Sequence, residues 1–313
     1  GSRYMEELLR FNTWIDKLVK VYNATDDEKY AYTALRQLMD FLNVTGMHGR
    51  YLKDLDIAVR AQVLPHYIMQ LLESEYMTPD IFAGLMKYMW IEGNEFLEFC
   101  TTGSNWGSSE RMGHYAVALN FQEFKDVGRW FSDLKTKYAK IMDWILQDDG
   151  SSYELALGYT DYTLDTFLGS IKMWETTGIK GENPFTPEVE QGIQTLAQYM
   201  MYCSMPGFID NQEGDGYSFR SGYIPKRLYY VGDKFGDPYL LFGGTDRVEG
   251  DTPPVTSVCY NGEGKKVIMR TDWSNKANYL YSSVEGGVGN HAHQDDNNLI
   301  VSAYGPVSYT HLR

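Results

Sequence analysis

The sequence is poor in cysteine, and this argues against a disulfide framework. Its 313 residues contain three cysteines, Cys100, Cys203 and Cys259, which are far apart and form no C-x-x-C pair. Disulfide-rich folds and cysteine metal sites both need denser, closely spaced sets. At this length the chain can bury a sizeable apolar core without such links.

Long apolar runs and an excess of positive charge are also missing. No stretch approaches the roughly 20 apolar residues of a membrane-spanning helix, and no secretory signal is recognised in these residues. Lysine and arginine number 28 against 42 acidic residues, which gives a net charge of −14. Because phosphate binding relies on clustered basic side chains, a nucleic-acid partner is not expected. A polyanionic sugar is not excluded, because a local basic or amide-lined groove can exist on an acidic protein.

Aromatic residues, in contrast, are abundant. They make up 15% of the chain, with 25 tyrosines and 7 tryptophans. Flat rings stack on the C–H faces of sugars, so this surplus fits a carbohydrate-binding protein. An aromatic-rich core would explain it equally well, and composition leaves both interpretations open.

The first two thirds of the sequence predict a series of antiparallel helices. Apolar residues recur at three-to-four spacing from residue 4 onward, and further helices are predicted over 28–45, 51–74, 79–100, 108–121, 126–147, 155–176 and 187–204. "TPDIF" and "TPEVE" are good helix starts, with threonine, then proline, then an acid. The short polar connections favour antiparallel packing of consecutive helices.

From residue 207 the pattern changes to short strands. "PVTSVCY", "KKVIMRTDW", "ANYLYSSVE" and "NLIVSAYG" are strand-like, and "NGEG" between the first two predicts a hairpin turn. Helices followed by strands predict an α+β protein with segregated domains. The expected boundaries are 1–207 for the helical domain, 208–245 for a linker with loops, and 246–313 for the sheet. We expect the sheet to be only the first part of a larger one.

Two histidines with a two-residue spacing form the first candidate site. "GNHAHQDDNN" places His291, His293 and Asp295 on one side of an extended segment. Imidazoles on one face can ligate zinc, although a complete site needs three or four ligands. Catalytic groups or a polar strand face are the alternatives.

Two further clusters of chemically capable residues lie in the helical region. Asn105 and Trp106 precede a predicted helix that carries Glu110 and His114, which are four residues apart and share a face. This arrangement could offer an amide and an indole to a ligand, but an ordinary helix cap is the simpler interpretation of the asparagine.

The other cluster is "DDGSSYELALGYTDYTLDTF", residues 148–167. A turn at Gly150 is followed by Glu154, Tyr159 and Tyr162. Tyrosines on a bundled helix are usually core residues, so this cluster gains meaning only beside the others.

Taken together, the motifs resemble the heparinase II/III-type polysaccharide lyases. The resemblance covers about residues 80–306 and comprises Asn-Trp, then "F-x-E-F-K-D", then "D-G-S…E-L…Tyr", then "VIMRTDW…ANYLY…G-x-H-A-H-x-D…AYG", in that order. It implies an α+β multidomain protein, an N-terminal incomplete (α/α) toroid of antiparallel helices followed by the start of an antiparallel β-sandwich. It also implies an enzyme that cleaves a uronic-acid-containing glycan by β-elimination.

The resemblance further implies roles for single residues. Asn105 and His291 match the groups that neutralise the substrate carboxylate, and Tyr159 matches the catalytic base or acid. Tyr162, one turn further, is the alternative to Tyr159. Thr160 departs from the pattern, because many relatives have a histidine directly after the catalytic tyrosine.

Other expectations concern binding, metal and location. Trp106, Glu110, His114, Tyr162 and Arg220 are the candidate substrate-binding residues; Arg220 belongs, with Lys226 and Arg227, to a loop at 214–227 that could meet anionic groups. The resemblance implies that His293 is a ligand of a structural zinc ion whose remaining ligands lie beyond this sequence. It implies no cofactor that the chemistry itself requires. It also implies a bacterial protein that is periplasmic or secreted.

Two competing functions remain open. A glycoside hydrolase would need two carboxylates across the scissile bond, for which Glu110, Asp149 and Glu154 are available. A non-catalytic glycan-binding protein would keep the cleft without the chemistry.

Overall fold

The computed structural model describes residues 10, 14–45, 54–98, 101, 103–176, 183–211, 213–214, 222–262, 265–283 and 298–303, and the backbone of 307–310. The chain divides into two compact units. The first comprises residues 1–102, 106–138 and 168–184, and the second comprises 103–105, 139–167 and 185–313.

Ten helices lie in the described part of the chain. They are α1 (Ile15–Thr25), α2 (Glu28–Thr45), α3 (Asp54–Leu71), α4 (Pro79–Glu98), α5 (Ser104–Asn120), α6 (Val127–Ile145), α7 (Leu157–Thr176), α8 (Pro187–Cys203), α9 (Tyr223–Phe235) and α10 (Pro238–Gly244). The predicted helices from residue 28 to residue 204 are confirmed to within four residues at each end.

Both predicted threonine–proline starts are helix N-termini. The hydroxyl of Thr78 accepts a hydrogen bond from the amide of Ile81 (3.3 Å) at the start of α4. The hydroxyl of Thr186 accepts one from Val189 (3.4 Å) at the start of α8. In each case the proline stands at the first helical position, where its missing N–H removes no helical bond.

The first compact unit has an apolar core with one buried ion pair. The core includes Leu35, Leu38, Leu64, Ile68, Leu85, Met89 and Phe96. Arg60, 1% exposed, donates from Nε and Nη2 to Glu92 Oε1 at 3.1 and 2.8 Å. Tyr88 donates to the same oxygen at 2.5 Å. A buried charge needs such partners, because an unpaired one would be strongly destabilising.

Residues 208–245 of the second compact unit were predicted to form a linker with loops. The prediction is wrong for much of this range, because it contains the helices α9 and α10. The buried residues of α9 are Tyr223, Ile224, Leu228, Val231 and Gly232, a helical stripe that the glycines and charges of this region concealed. The Asp237 side chain caps α10 by accepting from the amides of Tyr239 and Leu240. Pro238 at the first position then fixes the start.

The second unit also contains a five-stranded antiparallel sheet in sequential order. Its strands are β1 (Ser257–Tyr260), β2 (Lys266–Arg270), β3 (Tyr279–Ser283), β4 (Asn298–Ala303) and β5 (Val307–Thr310). Tyr260 lies opposite Lys266, so the predicted β1–β2 hairpin is confirmed. β5 pairs with β4.

The buried face of the sheet contains two cations. On β2 the buried residues are Lys266, Ile268 and Arg270, whereas Met269 is 50% exposed. Opposite them on β3 lie Tyr279 and Tyr281, also buried. A lysine and an arginine therefore occupy positions that usually hold apolar side chains. Each buried cation needs hydrogen-bonding or charged partners within the fold.

None of the helices in the described residues combines the length and apolar character that crossing a membrane requires.

Candidate active site

The best-defined candidate site begins at the turn 148–156 in the second compact unit. Asp149 accepts hydrogen bonds from the amide and hydroxyl of Ser151 at 3.0 and 2.7 Å. It also accepts from the amide of Gly262 at 2.5 Å. Gly150 adopts a φ of 85°, which favours glycine. The turn is thereby tied to the connection between β1 and β2.

Glu154, at the end of this turn, binds Asn105 twice. Its Oε1 accepts from the backbone amide and from Nδ2 of Asn105, both at 2.9 Å. Glu154 is fully buried and Asn105 is 3% exposed. A carboxylate at a helix N-terminus satisfies unpaired amides and interacts favourably with the helix dipole. Glu154 therefore caps α5 and fixes the orientation of the Asn105 amide.

This cap changes one prediction. The helix was predicted to begin at residue 108, with Asn105 and Trp106 before it, whereas α5 begins at Ser104. Ser104 has a φ of 78°, which is unusual for a non-glycine residue. The capping group comes from a residue 49 positions away, so local sequence could not reveal the early start.

Tyr159 and Tyr162 lie on α7, directly after the turn. Both are half-buried, and their three-residue spacing places them on one face of the helix. The amide of Tyr159 donates to the carbonyl of Ala156 at 3.1 Å. Thr160, the departure from the lyase pattern, is fully buried, and its hydroxyl donates to the same carbonyl at 3.2 Å.

Leu155, directly after Glu154, is held by side chains from β2 and α8. Leu155 has a φ of 61°, in the left-handed region. Its carbonyl accepts from Lys266 Nζ at 2.9 Å and from the Tyr199 hydroxyl at 3.3 Å. Lys266 also donates to Glu213, which accepts from the hydroxyl of Tyr281. Burial raises the pKa of Tyr199 and of Tyr281 well above the ordinary value, so both phenols stay protonated.

Trp106, Glu110 and His114 belong to the first compact unit. Trp106 is 36% exposed, which suits contact with a ligand. Glu110 is fully buried and accepts from the amide and hydroxyl of Thr101 at 2.8 and 2.7 Å. Such burial is inconsistent with direct substrate contact by Glu110.

His114 is a core residue. Its ring stacks on Phe96 with centroids 5.3 Å apart and packs against Trp130 at 6.0 Å. None of its surface is exposed, which is inconsistent with the predicted substrate contact. Burial lowers the pKa of His114 well below its usual value, and the charges of Arg111 and Lys137 lower it further. The imidazole is therefore neutral, as packing among aromatic rings requires.

The three carboxylates considered for a hydrolase act as hydrogen-bond acceptors within the fold. Glu110 and Glu154 are buried, and each binds the backbone and side chain of another residue. Desolvation raises the pKa of Asp149, but hydrogen bonds from Ser151 and Gly262 outweigh it and lower the pKa overall. A hydrolase needs one carboxyl with a raised pKa as its acid, and Asp149 is shifted the other way.

Of the predicted anion-binding loop, Arg227 has acidic partners within the protein. Its Nε donates to Asp161 at 2.6 Å and its Nη2 to Asp165 at 2.8 Å, which ties α9 to α7. Lys226 is exposed. Arg220 lies outside the described residues.

The candidates His291, His293 and Asp295 also lie outside the described residues. Within the described ranges no group of three His, Cys, Asp or Glu side chains is arranged to hold a metal ion. The zinc site stays a prediction.

Comparison with known proteins identifies the family. The family model "Heparinase II/III N-terminus" matches residues 3–233, so the chain belongs to the heparinase II/III family. A heparin-sulfate lyase of Pedobacter heparinus is 22% identical over 281 residues, which cover 85% of this chain and 41% of that protein.

Solved structures show the same fold. A heparan sulfate lyase mutant from Pedobacter heparinus superposes with a TM-score of 0.76 at 21% identity, over 96% of this chain and 48% of that one. A heparinase III superposes with a TM-score of 0.81 at 16% identity, over 95% and 49%. The predicted fold class, helices of an incomplete (α/α) toroid followed by the start of an antiparallel β-sandwich, is confirmed. The chain spans about half the length of these relatives.

Proposed function

We propose that this chain is the catalytic part of a polysaccharide lyase that cleaves a uronic-acid-containing glycan by β-elimination. The observation that carries the proposal is that Asn105 and Tyr159, the two described residues that match the family's catalytic groups, belong to one compact unit and are joined through the Glu154–Leu155 turn. The family match over residues 3–233 supports the reaction class.

The reaction assigns a distinct task to each group. A base removes the proton from C5 of the uronate, the electron pair forms the C4–C5 double bond, and the C4–O bond breaks. The departing oxygen takes a proton. Since the C5 proton is barely acidic beside an ionised carboxylate, the enzyme must neutralise that carboxylate and stabilise the enolate-like transition state.

Asn105 and Tyr159 are the proposed carriers of these tasks. The Asn105 amide, oriented by Glu154, donates to the substrate carboxylate, and His291 assists it. Tyr159 takes the C5 proton and supplies one to the leaving oxygen. A phenol has an ordinary pKa of about 10 and needs nearby donor or positive groups to act as a base. Tyr162 is the alternative on the same helix face.

The proposed substrate class is an acidic glycosaminoglycan. The names of the relatives, heparin-sulfate lyase and heparan sulfate lyase, support it. The half-buried Tyr159 and Tyr162 provide aromatic surface for sugar rings. A structural zinc at His293 and a periplasmic or secreted location stay predictions.

An assay of unsaturated product tests this proposal. We expect ultraviolet absorbance from the conjugated uronate to grow when the protein is given heparan sulfate, with chondroitin sulfate and alginate as comparisons. Tyr159→Phe and Asn105→Ala should abolish most of the growth while the fold stays intact, and Tyr229→Phe, at a tyrosine 46% exposed in the same unit, should not. Unchanged turnover in both site variants would contradict the assignment.

A further inference from the structure

Lys266 is an unusual residue for the inner face of a sheet. Its side chain is 1% exposed and reaches both Glu213 and the carbonyl of Leu155. The rings of Tyr199 and Tyr281 lie 5.8 and 5.5 Å from Nζ. The ammonium is thus enclosed by one carboxylate, one carbonyl and two aromatic faces.

Stability alone is a weak reason for this arrangement. Removing a lysine and a glutamate from water is costly, and a buried ion pair is often no more stabilising than apolar residues of the same size. The carboxylate is bound in addition by Tyr281. The distinctive feature is therefore the carbonyl of Leu155, which the ammonium binds at 2.9 Å.

Leu155 is a strained position. Its φ of 61° is uncommon for a residue with a branched side chain and persists only where the surroundings enforce it. The side chain of Leu155 is itself buried. Lys266 and Tyr199 hold the carbonyl that follows this strained φ angle, so they fix the direction in which the chain leaves Leu155.

Residues of the candidate site lie on both sides of Leu155 in the sequence. Glu154 precedes it and binds Asn105. Tyr159 follows it by four residues, in the first turn of α7, with its amide bound to Ala156. A rotation at Leu155 would therefore displace the carboxylate that orients the amide relative to the proposed base.

We propose that Lys266, charge-balanced by Glu213, is a positioning residue that holds the Leu155 carbonyl and so sets Glu154 and Tyr159 in their working arrangement. This inference rests on the lyase function proposed above. It assigns to strand β2 a part in the geometry of a site that is built on α5 and α7.

The same strand supplies a matched control. Arg270, two positions along on the buried face, is 7% exposed and also binds carbonyls, those of Tyr202 and Ser204 at 2.6 and 2.9 Å. These carbonyls stand at the end of α8, away from residues 154–159 in sequence. Arg270→Met therefore removes a buried cation without touching the turn, and Lys265→Met removes an exposed one.

Hydrogen exchange on the full chain tests the positioning directly. In Lys266→Met/Glu213→Gln, which leaves no unpaired buried charge, we expect the amides of 155–160 to exchange at least about tenfold faster, because their turn loses a charge-assisted bond. Arg270→Met and Lys265→Met should leave them unchanged. Equal acceleration in Arg270→Met, or none in the double variant, overturns the inference. If the double variant does not fold, Lys266→Gln alone removes the same ammonium from the Leu155 carbonyl and should show the same local effect. The absence of that effect overturns the inference too.

Lyase kinetics separate this inference from the proposed function. The double variant should lose at least about tenfold in kcat with KM nearly unchanged, because a misplaced base affects the chemical step rather than binding. An undiminished kcat overturns the inference. If the unaltered protein makes no unsaturated product, the proposed function fails, and the exchange result still decides whether Lys266 holds the turn.

Discussion

Removing the Glu154 carboxylate tests the part of the site that the structure defines best. Its Oε1 accepts two hydrogen bonds from Asn105 at 2.9 Å, and both residues are almost fully buried. Each bond to a charged group contributes about 1.5–3 kcal/mol. Glu154→Ala should therefore lower the free energy of unfolding by at least about 3 kcal/mol, since two buried donors lose their acceptor.

Glu154→Gln separates charge from shape. The amide oxygen still accepts, but neutral hydrogen bonds contribute about 0.5–1.5 kcal/mol each, so the loss over the two bonds should be about 2–3 kcal/mol. Urea unfolding followed by circular dichroism measures both variants. Asp148→Ala is the control, because this neighbouring carboxylate is exposed.

A double-mutant cycle with Asn105→Ala isolates the side-chain bond. Asn105→Ala keeps the backbone amide that also binds Glu154, so the coupling energy should be about 1.5 kcal/mol or more. Coupling near zero, together with a Glu154→Ala variant as stable as the Asp148→Ala control, would refute the reasoning.

Three further predictions concern pH and packing. Because the pKa of His114 is lowered in the folded protein, the unfolded chain binds a proton first as pH falls. The contribution of His114 to the free energy of unfolding is therefore fully present above pH 6.5 and falls below that pH by up to about 1.4 kcal/mol per pH unit. His114→Phe should flatten this part of the pH profile measured by urea unfolding. The lowered pKa of Asp149 means that its contribution is present above pH 3.8 and lost as pH falls through the folded-state pKa. Asp149→Asn should thus be less stable than the parent at neutral pH, by under about 1 kcal/mol, and equal to it in strong acid. Gly113→Ala should cost about 1–3 kcal/mol in thermal unfolding, because the new Cβ would lie 2.6 Å from the Ala58 carbonyl, whereas Gly128→Ala, with nothing within 4 Å, should not destabilise.

The helices were predictable because their information is local. Apolar residues at three-to-four spacing and threonine–proline starts are properties of adjacent residues, and α4 and α8 begin at those starts. The start of α5 was not predictable in this way. It depends on Glu154, which reaches Asn105 across 49 positions.

The inner face of the sheet shows a second limit. Alternate residues of the strand "KVIMR" point to opposite faces of the sheet. One face carries Lys266, Ile268 and Arg270, and the other carries Val267 and Met269. Hydrophobicity alone would favour burying the second set. The first set is buried because carbonyls at Leu155 and at the end of α8 accept from the two cations. Those partners are distant in sequence, so strand pattern could not identify them.

The assignment of Asn105 and Tyr159 as candidate site residues came from the order of motifs rather than from any single one. The structure adds the connection between them, through the buried carboxylate of Glu154. Burial, in contrast, argues against the substrate contacts predicted for Glu110 and His114. Polar residues four apart on a helix are equally suited to a cleft and to a packed core, and only tertiary structure separates the two.

The central claim is elimination, and the product formed in heavy-oxygen water tests it most directly. Elimination breaks the C4–O bond without adding water, so the proposed lyase should release fragments that carry no heavy oxygen and an unsaturated end one water lighter than a hydrolysed one. Mass spectrometry of the fragments from heparan sulfate measures both features. Fragments that contain heavy oxygen at a new reducing end, with no unsaturated uronate, would contradict the account.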